Sequence, residues 1–256
     1  MLIVLSPAKS LDFTTPPTTN HYSQPEFLEE SQLLVDKLKK LTPAKLASLM
    51  KISDKLASLN VARYGSWTTP FTAENAKQAV LSFTGDVYRG LDACSLDDQG
   101  LNYAQQNVRI VSGLYGLLRP LDLIQPYRLE MGRSIKNRKG KDLYAFWGNQ
   151  LNHRLANQLE KDAFPVLINL ASKEYFTALK LPSLAYRVIT PIFKDWKNGQ
   201  FKHINFFAKK ARGLMTRFAI DHQIDDPELL KDFDYEGYQF EDKLSSKNEW
   251  IFTRKQ

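Results

Sequence analysis

Apolar residues recur along this chain in two rhythms. Short β-prone runs stand at Leu2 to Leu5, Val108 to Val111 and Val166 to Leu170. Each ends in a turn-forming pair, Ser6-Pro7, Ser112-Gly113 and Ala171-Ser172, so each predicts a strand feeding a loop. Elsewhere the spacing is helical. Phe27, Leu28, Leu34, Val35, Leu38 and Leu41 predict a helix over Pro25 to Lys40. Thr42-Pro43 reads as an N-cap with proline in the first turn, opening a helix from Pro43 to Met50. Ser53 reads as the cap of a second helix, Asp54 to Tyr64, and Thr72 as the cap of a third that runs through Leu81. Further helices are predicted over Asn149 to Lys161, around Glu174, Tyr175 and Phe176, and over Lys209 to Phe218.

Strands are predicted at Tyr186 to Ile189, Ile192 to Trp196, Phe201 to Phe207, Tyr238 to Phe240 and Trp250 to Phe252. Asn198-Gly199 marks a type I′ hairpin. Gly113 to Gly116 reads as a loop, and Pro120 and Pro126 argue against a long helix after it. No repeat or low-complexity linker divides the chain. The expected architecture is mixed α/β, a single domain over residues 1–256, with a central mixed sheet, flanking helices and a helix-hairpin-helix-like segment at about 43–64.

Composition narrows the setting. No apolar run approaches the ~18 residues of a membrane span. Leu2 to Leu5 has neither a basic region before it nor a small-residue cleavage site after it, as a signal peptide would. The one cysteine, Cys94, can form no internal disulfide, so the reading is cytoplasmic. The formal net charge is +7. From Arg187 to Arg217 there are eight bases and one acid, Asp195, while Asp221 to Asp242 holds nine acids and one base, Lys231. A second basic stretch holds Arg133, Lys136, Arg138, Lys139 and Lys141. Two readings follow: a positive face that meets an anion, or solvated charges that the fold scatters.

The candidate chemistry is a matter of anions. Phosphate-loop, dinucleotide, HExxH and GxSxG motifs are absent, and the four histidines show no ligand spacing, so no metal or cofactor is expected. Leu49 to Ala57 has the spacing of a helix-hairpin-helix. There, hairpin N–H groups and the second helix N-terminus hold a phosphate, with Lys51, Ser53 and Lys55 as contacts. Glycines usually stand where this chain has Lys51 and Ser53, and an ordinary packed helix pair is the alternative. Lys9 follows the first strand, where α/β proteins place their chemistry. Arg119 and Arg128 lie on proline-ordered loops suited to anion binding, or else Arg128 pairs with Glu130. Lys209, Arg212 and Thr216 share one helix face.

Seven segments carry a resemblance. They are Leu5 to Lys9, Phe83 to Tyr88, Ser112 to Pro120, Gln125 to Gly132, Phe146 to Gly148, Asn169 to Ser172 and Ala208 to Met215. In this order they resemble, end to end, the YaaA family of bacterial peroxide stress proteins. The resemblance implies survival of hydrogen peroxide by limiting iron- and peroxide-driven damage. It also implies a compact α/β fold with a positive cleft, a helix-hairpin-helix and affinity for DNA. No reaction is carried over.

The expected partner is double-stranded DNA, bound with little sequence preference by a monomer. Lys51, Ser53, Lys55, Lys9, Arg119, Arg128, Lys209 and Arg212 are the candidate contacts. The alternative is a base- or nucleotide-processing enzyme, whose lysine and carboxylate are Lys9 with Glu130 or Lys209 with Asp86, helped by Tyr88 or Ser172. Direct iron sequestration is a third reading, with no clustered ligand set behind it.

Overall fold

A strand made only of aliphatic residues must be covered on both faces and paired on both edges. Leu2–Leu5 (β1) meets that demand by taking the middle of the sheet, with all four residues buried. The computed structural model of the chain describes residues 1–137, 139–179 and 186–255; Arg138 of the second basic stretch lies outside them.

After β1 come a two-residue β2 (Ser10–Leu11) and the helices α1 (Leu28–Leu38), α2 (Pro43–Met50) and α3 (Asp54–Ser66). Short elements follow: β3 (Lys77–Gln78), α4 (Ala79–Ser82), β4 (Phe83–Thr84) and α5 (Asp86–Leu91). Next are α6 (Asp98–Asn107), β5 (Val108–Ser112), β6 (Gly116–Leu118), β7 (Leu123–Ile124), α7 (Leu143–Trp147) and α8 (Gln150–Leu159). The last part holds β8 (Val166–Leu170), α9 (Lys173–Phe176), β9 (Arg187–Lys197), β10 (Gln200–Lys202), α10 (Asn205–Asp221), β11 (Gln239–Phe240) and β12 (Glu249–Arg254).

The main sheet runs β11-β12-β9-β8-β1-β5-β6, with β10 folded back on β9. Its five central strands are parallel and its outer partners antiparallel, so the sheet is mixed. Leu5 lies level with Ile110 on one side and Leu170 on the other. The loops after β1, β5 and β8 therefore open on one edge, the place where parallel sheets gather functional side chains.

Helices cover the sheet, and α5 crosses α10 at backbone distance. A Cβ on Gly213 would stand 1.8 Å from the Val87 carbonyl oxygen, and one on Gly90 would stand 2.2 Å from that of Lys210. Only glycine permits this crossing.

Several expectations are corrected. The helix expected from Thr72 through Leu81 is broken. Lys77 and Gln78 pair with β7 as a strand, and only Ala79–Ser82 is helical. Both side chains are buried and bound to carbonyls, Lys77 Nζ to Asp12 and Thr15 and Gln78 Nε2 to Thr19 and His21. Those tertiary bonds outweigh helix propensity. The two strands expected around Pro191 are one, β9. Its ladder with β8 ends at Ile189, so the proline sits where that pairing has stopped. The strand expected through Phe207 ends at Lys202, and its last aromatics open α10. The loop read through Gly116 becomes a tight reversal into β6, which pairs with β5. Asn198 and Gly199 both take positive φ, 53° and 79°, as a type I′ turn requires.

Candidate functional site

Two loops meet where β1 and β8 end. Ser172 donates its N–H to Ser6 Oγ at 2.8 Å, and the two hydroxyls lie 3.3 Å apart. Tyr88, on α5, donates to the Ser6 carbonyl at 3.0 Å. Three residues after Ser6, Lys9 Nζ lies 3.9 Å from Glu130 Oε1. That same oxygen accepts Arg128 Nε at 3.2 Å and Nη2 at 3.0 Å, while Arg133 Nε reaches Oε2 at 3.4 Å. Glu130 is 3% exposed and Lys9 is mostly in solvent. Burial pushes the Glu130 carboxyl up, yet Arg128 and Arg133 outweigh it and hold the group below its ordinary range. Glu130 is therefore a fixed anion beneath three cations, and the cluster keeps a surplus of two positive charges.

A packed set of phenols supports this cluster. Tyr127 shares a 2.6 Å hydrogen bond with Ser112 Oγ and meets Tyr115 edge to face at 5.0 Å. Tyr64, on α3, donates to the Arg128 carbonyl. Burial pushes the hydroxyls of Tyr64, Tyr88, Tyr127 and Tyr175 up, so they stay neutral and serve as scaffold.

The second feature is the turn between α2 and α3. Thr42 caps α2 through Lys45 N, with Pro43 in the first turn. Lys51 ends that helix in the left-handed region, at φ 54° and ψ 55°, and the Ile52 N–H closes on the Ala47 carbonyl at 3.1 Å. Ser53 takes the N-cap position of α3 in extended conformation but makes no side-chain cap bond. Lys51, Ser53 and Lys55 are all exposed. Ala57, Asn60 and Tyr64 form the buried stripe of α3. The hairpin and Arg128 thus lie at two ends of one helix contact, through Tyr64.

The remaining candidates sit elsewhere. Arg119 clasps the fully buried Asp122 at 3.0 and 3.1 Å and donates to the Gln24 carbonyl, a tie that Ser23 joins through Asp122. The pairing of Lys209 with Asp86 is not formed: Asp86 is held by Arg89 at 2.6 Å. Lys209 is exposed on α10. Arg212 lies on α10 between the stripe that meets α5 and the buried stripe of Ala208, Ala211 and Met215. Burial pulls its guanidinium down, and no carboxylate lies within 4.0 Å among the described residues. Arg133 was not among the contacts singled out from the sequence, although its place in a basic stretch three residues after Glu130 was the available signal.

The segregation of charge along the chain is partly offset in space. The acidic tail folds back on the basic run: Arg187 meets Glu228, Lys210 meets Glu236, and Arg217 meets Asp221. Arg254 bridges Glu236 to Asp195, which is 1% exposed. The other five bases of the 187–217 segment, Lys194, Lys197, Lys202, Lys209 and Arg212, have no carboxylate within 4.0 Å among the described residues. Among the described residues no group of three or more His, Cys, Asp or Glu side chains could hold a metal ion, and no helix is long and apolar enough to cross a membrane.

Fold and site together define a mixed α/β protein with an arginine-clamped carboxylate at its strand ends. A family described as peroxide stress protein YaaA matches residues 1–244. The chain is 57% identical over 256 residues to a UPF0246 protein of Colwellia psychrerythraea, covering both chains in full. It is 56% identical over 255 residues to one of Ralstonia nicotianae and 55% identical over 256 residues to one of Cellvibrio japonicus, each covering 100% of this chain and 99% of the other. The chain belongs to the peroxide stress protein YaaA family.

Proposed function

We propose that this protein binds duplex DNA through the sugar–phosphate backbone and that this contact serves peroxide stress by placing it where iron- and peroxide-driven damage falls. The observation that carries the reading is the α2–α3 hairpin. The first turn of α3 keeps backbone N–H groups that no Ser53 side-chain bond takes up, and exposed Lys51 and Lys55 flank them. Oriented N–H groups, a helix dipole and two ammonium groups together suit a phosphodiester. Lys9, Arg128 and Arg133 offer further positive charge, as do Lys209 and Arg212 on α10; Arg119 is committed to Asp122 and adds little. Contacts of this type position a duplex and read little sequence. A fluorescence titration against a duplex at several salt concentrations tests the reading: affinity should fall steeply with salt, and no binding at low salt would remove it.

A second reading has one observation in its favour, the 3.9 Å approach of Lys9 to Glu130. In a base-processing enzyme, the ionised Glu130 would take a proton from the Lys9 ammonium, and the freed amine would form a bond to the sugar C1′ as the C1′–base bond breaks and the base leaves. Borohydride trapping on duplexes with damaged bases, compared between the protein and Lys9→Arg, decides it: a covalent adduct that needs Lys9 would put this reading first.

A further inference from the structure

A hollow of about 520 Å³ lies between α1, α2 and the segment 134–136, which directly follows Arg133 of the strand-end cluster. Its floor is aliphatic: Leu38 and Ile135 are buried, and Leu41 and Leu49 are half-buried. Its rim carries Lys37, Lys45 and Lys136, all exposed. Lys37 Nζ donates to the Lys136 carbonyl at 3.2 Å, which ties α1 to the facing wall. Among the described residues, none of these three ammonium groups has a carboxylate within 4.0 Å. Arg187, Lys210, Arg217 and Lys231 do have one.

We infer that this groove docks an acidic, apolar peptide segment of a protein partner. An aliphatic floor takes aliphatic or aromatic side chains, and an unpaired basic rim takes the carboxylates beside them. A nucleotide or single strand fits less well. Among the described residues the lining offers no aromatic ring or guanidinium plane on which a base could stack. Lys45, Ser48 and Leu49 of α2 line the groove while Lys51, Ser53 and Lys55 do not, so the inference shares a helix with the DNA reading but not its contact residues.

The test uses the full chain and a short fluorescein-labelled peptide of alternating aspartate and leucine that ends in a free phenylalanine carboxylate. Anisotropy should show saturable binding, and the same peptide with serine for leucine and phenylalanine should bind at least about tenfold more weakly. The variant Lys45→Glu with Lys136→Glu changes two exposed side chains and should keep its circular dichroism spectrum. It should lose about tenfold or more of the peptide affinity, while its duplex affinity falls less than that of Lys51→Glu with Lys55→Glu. Three results would overturn the inference: no peptide binding at low salt, equal binding of the serine peptide, or a double variant that loses duplex affinity and keeps peptide affinity. The last would make the groove part of a nucleic-acid surface.

Discussion

Arg128 Nη2 lies 3.0 Å from Glu130 Oε1, two residues along the same loop, and the carboxylate it holds is almost wholly buried. Removing that charge leaves Arg128 and Arg133 without their shared counter-ion. Glu130→Gln should therefore cost about 3 kcal/mol near neutral pH, measured by denaturant unfolding. The pH dependence has a definite sign. The folded carboxyl lies below its unfolded value of about 4.3, so its stabilisation is full above that pH and is lost as pH falls through the folded value. The gap between the protein and Glu130→Gln should narrow on acidification, and a gap that stays constant down to strongly acid pH would contradict the clamp.

Lys51 occupies the left-handed region at φ 54°, where a side chain is disfavoured by about 1 kcal/mol or more. Lys51→Gly should raise stability by roughly 1 kcal/mol while weakening duplex binding, because it relieves the backbone and removes a cation. Thermal melting and a binding titration on the same sample check both signs. Lower stability would mean that the lysine stem makes packing contacts that offset its backbone cost.

Asp195 is buried with Arg254 at 2.7 Å and the Tyr238 hydroxyl at 3.0 Å. Arg254→Ala leaves the carboxylate unpaired and should cost about 3–5 kcal/mol, whereas Tyr238→Phe removes one hydrogen bond and should cost about 1 kcal/mol. Equal effects in chemical denaturation would show that the pair is not the main support of the β9–β12 seam.

The sequence was most legible where local signals agree with tertiary demands. Thr42-Pro43, Ser53 and Asn198-Gly199 marked their helix starts and turn correctly, and Leu2 to Leu5 announced a central strand because nothing polar interrupts it. Legibility failed where distant partners decide. Lys77 and Gln78 look helical until loop carbonyls claim their side chains. Helices α5, α6 and α7 went unread, and the α5–α10 crossing needs Gly90 and Gly213 to be seen together. At the site, Glu130 with Arg128 and Lys9 was readable as a possibility. The capture of Arg119 by Asp122 and the pairing of Arg187 and Lys210 with the acidic tail were not, because ion pairs across the fold leave no mark in spacing.

The most direct measurement is the salt dependence of duplex affinity for the protein and for Lys51→Glu with Lys55→Glu. Both residues are exposed, so the fold should survive, as the circular dichroism spectrum would report. A plot of log affinity against log salt should be linear, with a slope of roughly −0.9 for each phosphate neutralised. The double variant should bind more weakly at every salt concentration and should lower the slope by one to two contacts. Unchanged affinity and slope in a folded double variant would contradict the account and leave α2 and α3 as an ordinary packed pair.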